Sequence, residues 1–216
     1  MNQPLTVWRS QPIKRSDIMH VQDKTEIFLL RHAESIARQD IPEADWPLSP
    51  AGVRQAQHLA EVLQPLQIDA VLSSPYARAK ATVEPFAQTV GLSVPVIAEL
   101  RERKLTTRWQ GQWDEWFAIL QRAWADFGFA LPQCESSYDC QQRMCHCLAK
   151  LAANHTGQTL LVCSHGNAIA LYLNSIESSF GFEAWAAMQN PDIFWITYEA
   201  GRPLWHKSFK LSNTTA

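Results

Sequence analysis

Two histidines and two arginines stand where buried elements of the chain break off into polar residues. Arg31-His32 follows the apolar run Glu26-Ile-Phe-Leu-Leu30. Ser73-Ser-Pro-Tyr-Ala-Arg78 follows Ala70-Val-Leu72, and Ser164-His165-Gly166 follows Thr159-Leu-Leu-Val-Cys163. A short, unbroken apolar run is the pattern of a strand covered on both faces. In open α/β sheets, ligand sites form just outside the carboxyl ends of such strands. The three polar tips therefore predict one crevice that gathers Arg31, His32, Arg78 and His165. This set suits a phosphoryl group. Guanidinium forks bind phosphate oxygens in pairs and stay charged at any working pH, and a neutral imidazole nitrogen is a competent nucleophile. Singly the signals are weak, since an Arg-His pair usually marks a polar turn and Arg78 alone reads as a solvated helix residue. Jointly they are much more specific.

The elements that must hold these tips are legible around them. Ser49 is a good N-cap and Pro50 fits the first helical position. Val53, Ala56, Leu59, Ala60 and Leu63 keep helical spacing along one face. A second helix is expected from about Tyr76 to Val90, closed by Gly91. Val94-Pro-Val-Ile97 is a third apolar segment, which Pro95 assigns to an edge. Residues 100–111 are charged and irregular, 114–127 form a Trp-rich helix, 137–153 a further helix and 167–176 another. Two late strands are expected at 193–198 and 204–209, joined by the turn Ala200-Gly-Arg-Pro203. Strands alternating with helices predict an α/β fold, a three-layer α/β/α sandwich with a mainly parallel central sheet. The expected organisation is an irregular extension over 1–24 and a single domain over 25–216, with a lid or specificity insertion around 103–135.

Bulk properties set limits. The 216 residues carry 19 Lys and Arg against 21 Asp and Glu, a net charge of −2. Such a balance gives no support to a nucleic-acid or membrane-surface partner, so anion binding must come from a local cluster. No stretch approaches 18 consecutive apolar residues, and Met1–Lys24 lacks the apolar run of a signal peptide, so a cytoplasmic chain is expected. Five cysteines, at 134, 140, 145, 147 and 163, are expected as reduced thiols. Cys145-His-Cys147 is a poor metal fragment, because residues two apart on a helix point away from each other. The tryptophans at 109, 113, 116 and 124 could line a substrate pocket, but their spacing fits core or lid packing better.

The same residues carry a resemblance. Leu30-Arg-His-Ala-Glu-Ser35 resembles the Arg-His-Gly-Glu signature of the histidine phosphatase superfamily, which includes cofactor-dependent phosphoglycerate mutases. Leu48-Ser-Pro-Ala-Gly52 with Gln55-Ala56, then Val71-Leu-Ser-Ser-Pro-Tyr-Ala-Arg-Ala79, then Cys163-Ser-His-Gly166 resemble three further motifs in the family's order, so the likeness runs from about residue 26 to 170. It implies that His32 attacks phosphorus and becomes a phosphohistidine. Arg31, Arg78 and His165 would surround the transferred group and stabilise its charge. Leu100-Arg-Glu-Arg103 resembles the family's "L-x-E-R" stretch, which makes Glu102 the general acid. Without the resemblance, Glu102 reads as a surface carboxylate. Ser35 and Asn167, just past the two histidines, join the substrate-binding candidates, and Arg38 and Arg108 are candidates for a substrate's other anionic groups.

The chemistry sets requirements on protonation. His32 must be neutral at its attacking nitrogen, so its other nitrogen should donate to a fixed acceptor. Burial would raise the Glu102 carboxyl and nearby arginines would lower it, which leaves its direction open. The chain also departs from the family. Ala33 stands where glycine is usual, so the backbone there must tolerate a Cβ. Arg38 replaces the mutases' asparagine, Lys104-Leu-Thr106 replaces a Tyr-Gly pair, and no Arg-Arg pair occurs. The departures favour a metal-independent phosphatase, without cofactor, acting on a phosphorylated small molecule. A mutase-type phosphotransferase is the alternative, and a non-catalytic phosphate-binding module ranks third. Neither the substrate nor the oligomeric state is readable.

Overall fold

The computed structural model describes residues 24–107 and 113–209. The expected extension therefore lies outside the described residues except for Lys24, as do Arg108 and Trp109. Strand β1, Lys24–Arg31, is buried from Ile27 to Leu30. Its side chains alternate across the sheet: Ile27 and Leu29 join one apolar cluster, Phe28 and Leu30 the other. This two-sided burial is why the run reads as unbroken apolar sequence. Strands β2, Ala70–Ser73, β3, Thr159–Ser164, β4, Asp192–Glu199, and β5, Arg202–Trp205, complete a sheet of order β2-β3-β1-β4-β5. β1, β2 and β3 are mutually parallel, β4 is antiparallel to β1, and β5 turns back on β4. Four of the five strands thus run one way.

Helices cover both faces, as the three-layer expectation requires. Helices α1, Pro50–Val62, and α2, Ala77–Val90, pack on the Phe28 side. Helices α3, Trp113–Ala125, α4, Ser137–Asn154, and α5, Gly166–Ile176, pack on the Ile27 side. Ser49 caps α1, its hydroxyl accepting the Gly52 N–H at 2.9 Å. Gly91 ends α2 at φ 72°, a left-handed residue suited to glycine. Cys145 turns to Ser175 and Cys147 enters the core, so the Cys-His-Cys fragment points apart.

Three details differ from the sequence reading. Val94–Ile97 makes only an isolated bridge beside β2: Ser73 N–H donates to Pro95 O, and Ile97 N–H to Ser73 O. Pro95 brings no N–H of its own, and pairing stops there. The last strand spans 202–205 instead of 204–209, because Ala200 and Gly201, at φ 49° and 74°, reverse the chain in two residues. A short helix α6, Phe182–Ala186, was not expected.

Candidate active site

The topology places a crevice between two adjacent strand ends. After β1 the chain passes to α1 on one face, and after β3 it passes to α5 on the other, so the connections diverge where β1 and β3 lie side by side. Ligand sites form at such switch points. Arg31 pairs with Ser164 in register, and the His32 N–H donates to Ser164 O at 3.1 Å. The rings of His32 and His165 consequently meet edge to face, with centroids 5.1 Å apart.

His32 is held at every polar atom. Its carbonyl accepts from Asn190 Nδ2 at 2.8 Å, and Nδ1 lies 2.7 Å from Ala33 O. A carbonyl can only accept, so Nδ1 carries the proton and Nε2 keeps the lone pair. Nε2 accepts from Arg78 Nε at 3.1 Å. This is the tautomer that the sequence reading requires. Burial, with the Arg78 charge adding to it, holds the ring well below the ordinary histidine pKa, so it is neutral near pH 7. Ala33 is buried and does not have positive φ, so it tolerates its Cβ, and its N–H donates to Thr82 Oγ1.

Arg78, from the first turn of α2, is engaged at every nitrogen. Besides His32 it donates to the Glu43 carbonyl at 2.7 Å and to Glu43 Oε1 at 3.0 Å, and its guanidinium lies over Tyr76. Glu43 sits on a 3-10 turn in the loop that leaves β1. That loop is drawn back over the site by Ser49 N–H bonding Glu34 O and by Gly52, where a Cβ would stand 2.0 Å from Glu34 O. Burial lifts the Glu43 carboxyl above its usual value, Arg78 opposes the lift, and Glu102 adds to it, although 37% of the side chain stays accessible. Arg31 donates to Met188 O at 2.8 Å and passes close to Gly166, where a Cβ would stand 3.2 Å from the guanidinium.

His165 is completely buried. Its Nε2 lies 2.6 Å from Ser74 Oγ, which already accepts the Tyr76 N–H. The hydroxyl can therefore give its own proton to Nε2, which leaves the ring proton on Nδ1. Burial and the Arg78 charge push this ring well below the ordinary value too. Glu102 is placed by backbone donors: Oε1 accepts from Arg103 N and Ala168 N at 2.8 and 3.0 Å, and Oε2 from Asn167 N at 3.2 Å. Two of these belong to the first turn of α5, where the helix dipole favours an anion.

One pocket is lined by Arg31, His32, Ser35, Glu43, Arg78, Glu102, Arg103 and Asn167, with Trp46, Trp113, Trp116 and Trp185. It brings together every candidate from the sequence reading except three. His165 lies behind the lining, against His32. Arg38 is exposed and turned to Asp40 instead. Arg108 lies outside the described residues. Trp113 and Trp116 line the pocket, Trp116 also packing against the core as expected, whereas Trp124 is in the core and reaches Asn167 Oδ1. Sequence reasoning missed Glu43, Ser74 and Trp185. Ser74 lay inside the quoted Ser73–Arg78 tip, but Glu43 and Trp185 carry no local signal. Among the described residues, five buried side-chain nitrogens have no partner. Four belong to this site: Arg31 Nε, Arg103 Nη1, His165 Nδ1 and Trp185 Nε1. Unpaired buried donors are rare, and their concentration here marks a place built for acceptor atoms.

Comparison with known proteins agrees with this geometry. A family model described as histidine phosphatase superfamily (branch 1) matches residues 27–209. A probable phosphoglycerate mutase GpmB of Escherichia fergusonii is 29% identical over 171 residues, covering 74% of this chain and 77% of the relative. That of Proteus mirabilis is 30% identical over 162 residues, covering 70% and 74%. Among solved structures, a mycobacterial glucosyl-3-phosphoglycerate phosphatase in complex with VO3 superposes with a TM-score of 0.68 at 26% identity, covering 83% of this chain and 96% of that one. YhfR of Bacillus stearothermophilus shares the fold with a TM-score of 0.73 at 20% identity, covering 88% and 100%. The chain belongs to the histidine phosphatase superfamily, branch 1.

Proposed function

We propose that the chain is a metal-independent phosphomonoesterase that works through a phosphohistidine on His32. The observation that carries this reading is the state of His32: neutral, proton fixed on Nδ1, lone pair on Nε2, in a pocket that also holds three arginines and two carboxylates. An entering phosphoryl group takes over the N–H groups of Arg78 from Nε2 and Glu43, which frees the lone pair. Nε2 attacks phosphorus as the bond to the ester oxygen breaks. Arg31, Arg78 and His165 Nδ1–H take the charge on the equatorial oxygens. The departing oxygen receives a proton from the Glu102 carboxyl, giving the alcohol. Water then attacks phosphorus, Glu102 takes a water proton, the N–P bond breaks, and inorganic phosphate leaves with His32 restored.

Ser35 and Asn167 line the same pocket and are placed to bind substrate. The substrate is a phosphorylated small molecule, and the reaction needs no resident cofactor. The setting is cytoplasmic. Among the described residues no helix is long and apolar enough to cross a membrane. The mutase-type alternative has the names of the curated relatives in its favour. It predicts phosphate return to a hydroxyl, which depends on added bisphosphoglycerate, whereas the phosphatase releases inorganic phosphate without it.

The test is phosphate release from p-nitrophenyl phosphate by the wild type and by His32→Ala, with acid-quench trapping of labelled phosphate. The variant should lose activity by at least about 10³-fold, and the base-stable, acid-labile adduct should map to residue 32. Equal activity in the two proteins, or an adduct on another side chain, refutes the reading.

A further inference from the structure

The hydrolase reading leaves the alcohol half of the ester unassigned, and one wall of the pocket bears on it. That wall is aromatic. Trp113 and Trp116 lie one turn apart on α3, with ring centroids 5.8 Å apart, and Trp116 meets Trp185 of α6 at 6.2 Å. Phe117 and Phe182 support Trp185 from behind, at 6.4 and 5.5 Å. The apolar stripe of α3 runs from this wall into the core through Leu120, Ala123 and Trp124, all buried. Its first residue is different: Trp113 lines the pocket and stays 58% exposed. Apolar side chains left open beside a polar site are characteristic of a ligand-facing surface.

Charge points the same way. Among the described lining residues, the charged groups are Arg31, Arg78 and Arg103 against Glu43 and Glu102. With Glu102 protonated, as the proposed reaction requires, the surplus is two positive charges, which a phosphoryl dianion balances. Every Arg78 nitrogen is engaged at the phosphoryl end, and Arg103 is held through Nε to Glu135 O with its Nη1 left without a partner. Beyond Arg103 Nη1, the described lining offers a second anion Trp113, Trp116 and Trp185 and no further cation. A flat uncharged ring would meet indole faces and edges, which stack with aromatic groups at such spacings.

Resting on the hydrolase reading, we propose that the physiological substrate is the phosphate monoester of an uncharged alcohol bearing an aromatic ring, seated against Trp113, Trp116 and Trp185. The wall discriminates by binding the ring, so its effect falls mainly on KM.

The experiment measures phosphate release from 2-phenylethyl phosphate, n-butyl phosphate and 3-phosphoglycerate, two of which are alkyl esters of similar leaving ability. The wild type should prefer the phenylethyl ester over the butyl ester by about tenfold in kcat/KM. Trp113→Ala and Trp116→Ala should bring that ratio toward one through KM, and Trp113→Phe should restore part of it. Equal use of the two alkyl esters, preference for 3-phosphoglycerate, or an undiminished ratio in the alanine variants overturns the proposal and leaves the hydrolase reading standing. Release from no ester, including p-nitrophenyl phosphate, overturns the parent reading and this one with it.

Discussion

At the phosphoryl end of the pocket, the side chains come from strand tips and from the first turns of helices: Arg31 ending β1 and His32 just after it, Arg78 in α2, His165 before α5. At the opposite end they come from a loop, from the start of α3 and from the five-residue α6. The first group is tied to the sheet by backbone bonds such as His32 N–H to Ser164 O. The second is joined by ring contacts within α3 and between α3 and α6, with Trp116 and Trp185 packed against the core on the Ile27 side. The difference separates what the reaction demands from what the substrate demands. A tetrahedral anion needs the same donors whatever alcohol it carries, so rigid elements hold them. On the proposed reading, the alcohol half would be met by parts that can be exchanged without moving His32.

The largest expected effect removes a rigid-end donor. Arg78→Ala deletes the charge beside Nε2 and the partner of Glu43. Loss of a preorganised donor of this kind lowers kcat by roughly 10²–10³-fold. Arg78→Lys should recover little, because a single ammonium cannot span His32, the Glu43 carbonyl and the Glu43 carboxylate. Steady-state kinetics on p-nitrophenyl phosphate read this directly. A loss in KM alone would assign Arg78 to ground-state binding and blur the distinction between the two ends.

The next effect divides the two carboxylates. Glu102 is fixed by three backbone N–H donors, whereas Glu43 is fixed by one guanidinium. If Glu102 delivers the proton, Glu102→Gln should lower kcat by about 10²-fold on alkyl phosphates and far less on p-nitrophenyl phosphate, whose leaving group needs no proton. Glu43→Gln should change both esters alike, by less than about tenfold, because it acts through Arg78. The opposite pattern, with the leaving-group dependence following Glu43, would transfer the acid role to a residue that burial already lifts toward the protonated form.

The legibility of the sequence follows the same division. The strand tips are readable because two-sided burial leaves an unbroken apolar run that must end abruptly, as at Leu30–Arg31 and Cys163–Ser164. The Ser49–Pro50 cap and Gly91 stop are local chemistry and fall where expected. Glu102 is readable only through the resemblance, since its donors lie 65 and 66 residues away on α5. Glu43 depends on a loop folded back by the Gly52 contact with Glu34, which is tertiary. Helix α6 is too short for periodicity to register, so Trp185 had no signal. Val94–Ile97 misled because an apolar run does not reveal whether a partner strand exists beyond it.

The smallest expected effect concerns pH and stability together. His32 and His165 both have folded-state pKa values well below the ordinary 6.5, from burial first and the Arg78 charge second. His32 therefore stays neutral as pH falls through 6.5, and on the proposed reading the acid limb of kcat/KM should lie below that value. The same shift has a stability consequence. The unfolded chain binds protons at both rings near 6.5 and the folded chain does not, so stability rises with pH in this window and is lost as pH falls. Each ring should contribute roughly 1 kcal/mol of loss between neutrality and pH 5.5, a drop of a few degrees in melting temperature for a chain of this size. His165→Gln should flatten that slope by about half while the wild-type slope persists. Glu43, lifted by burial, acts in the opposite sense in the acid range, where its protonation favours the folded state. A melting temperature that stays level from pH 7 to 5.5, or an acid limb at 6.5, would mean that the paired rings are solvated, and the rigid end of the pocket would lose the property that sets it apart.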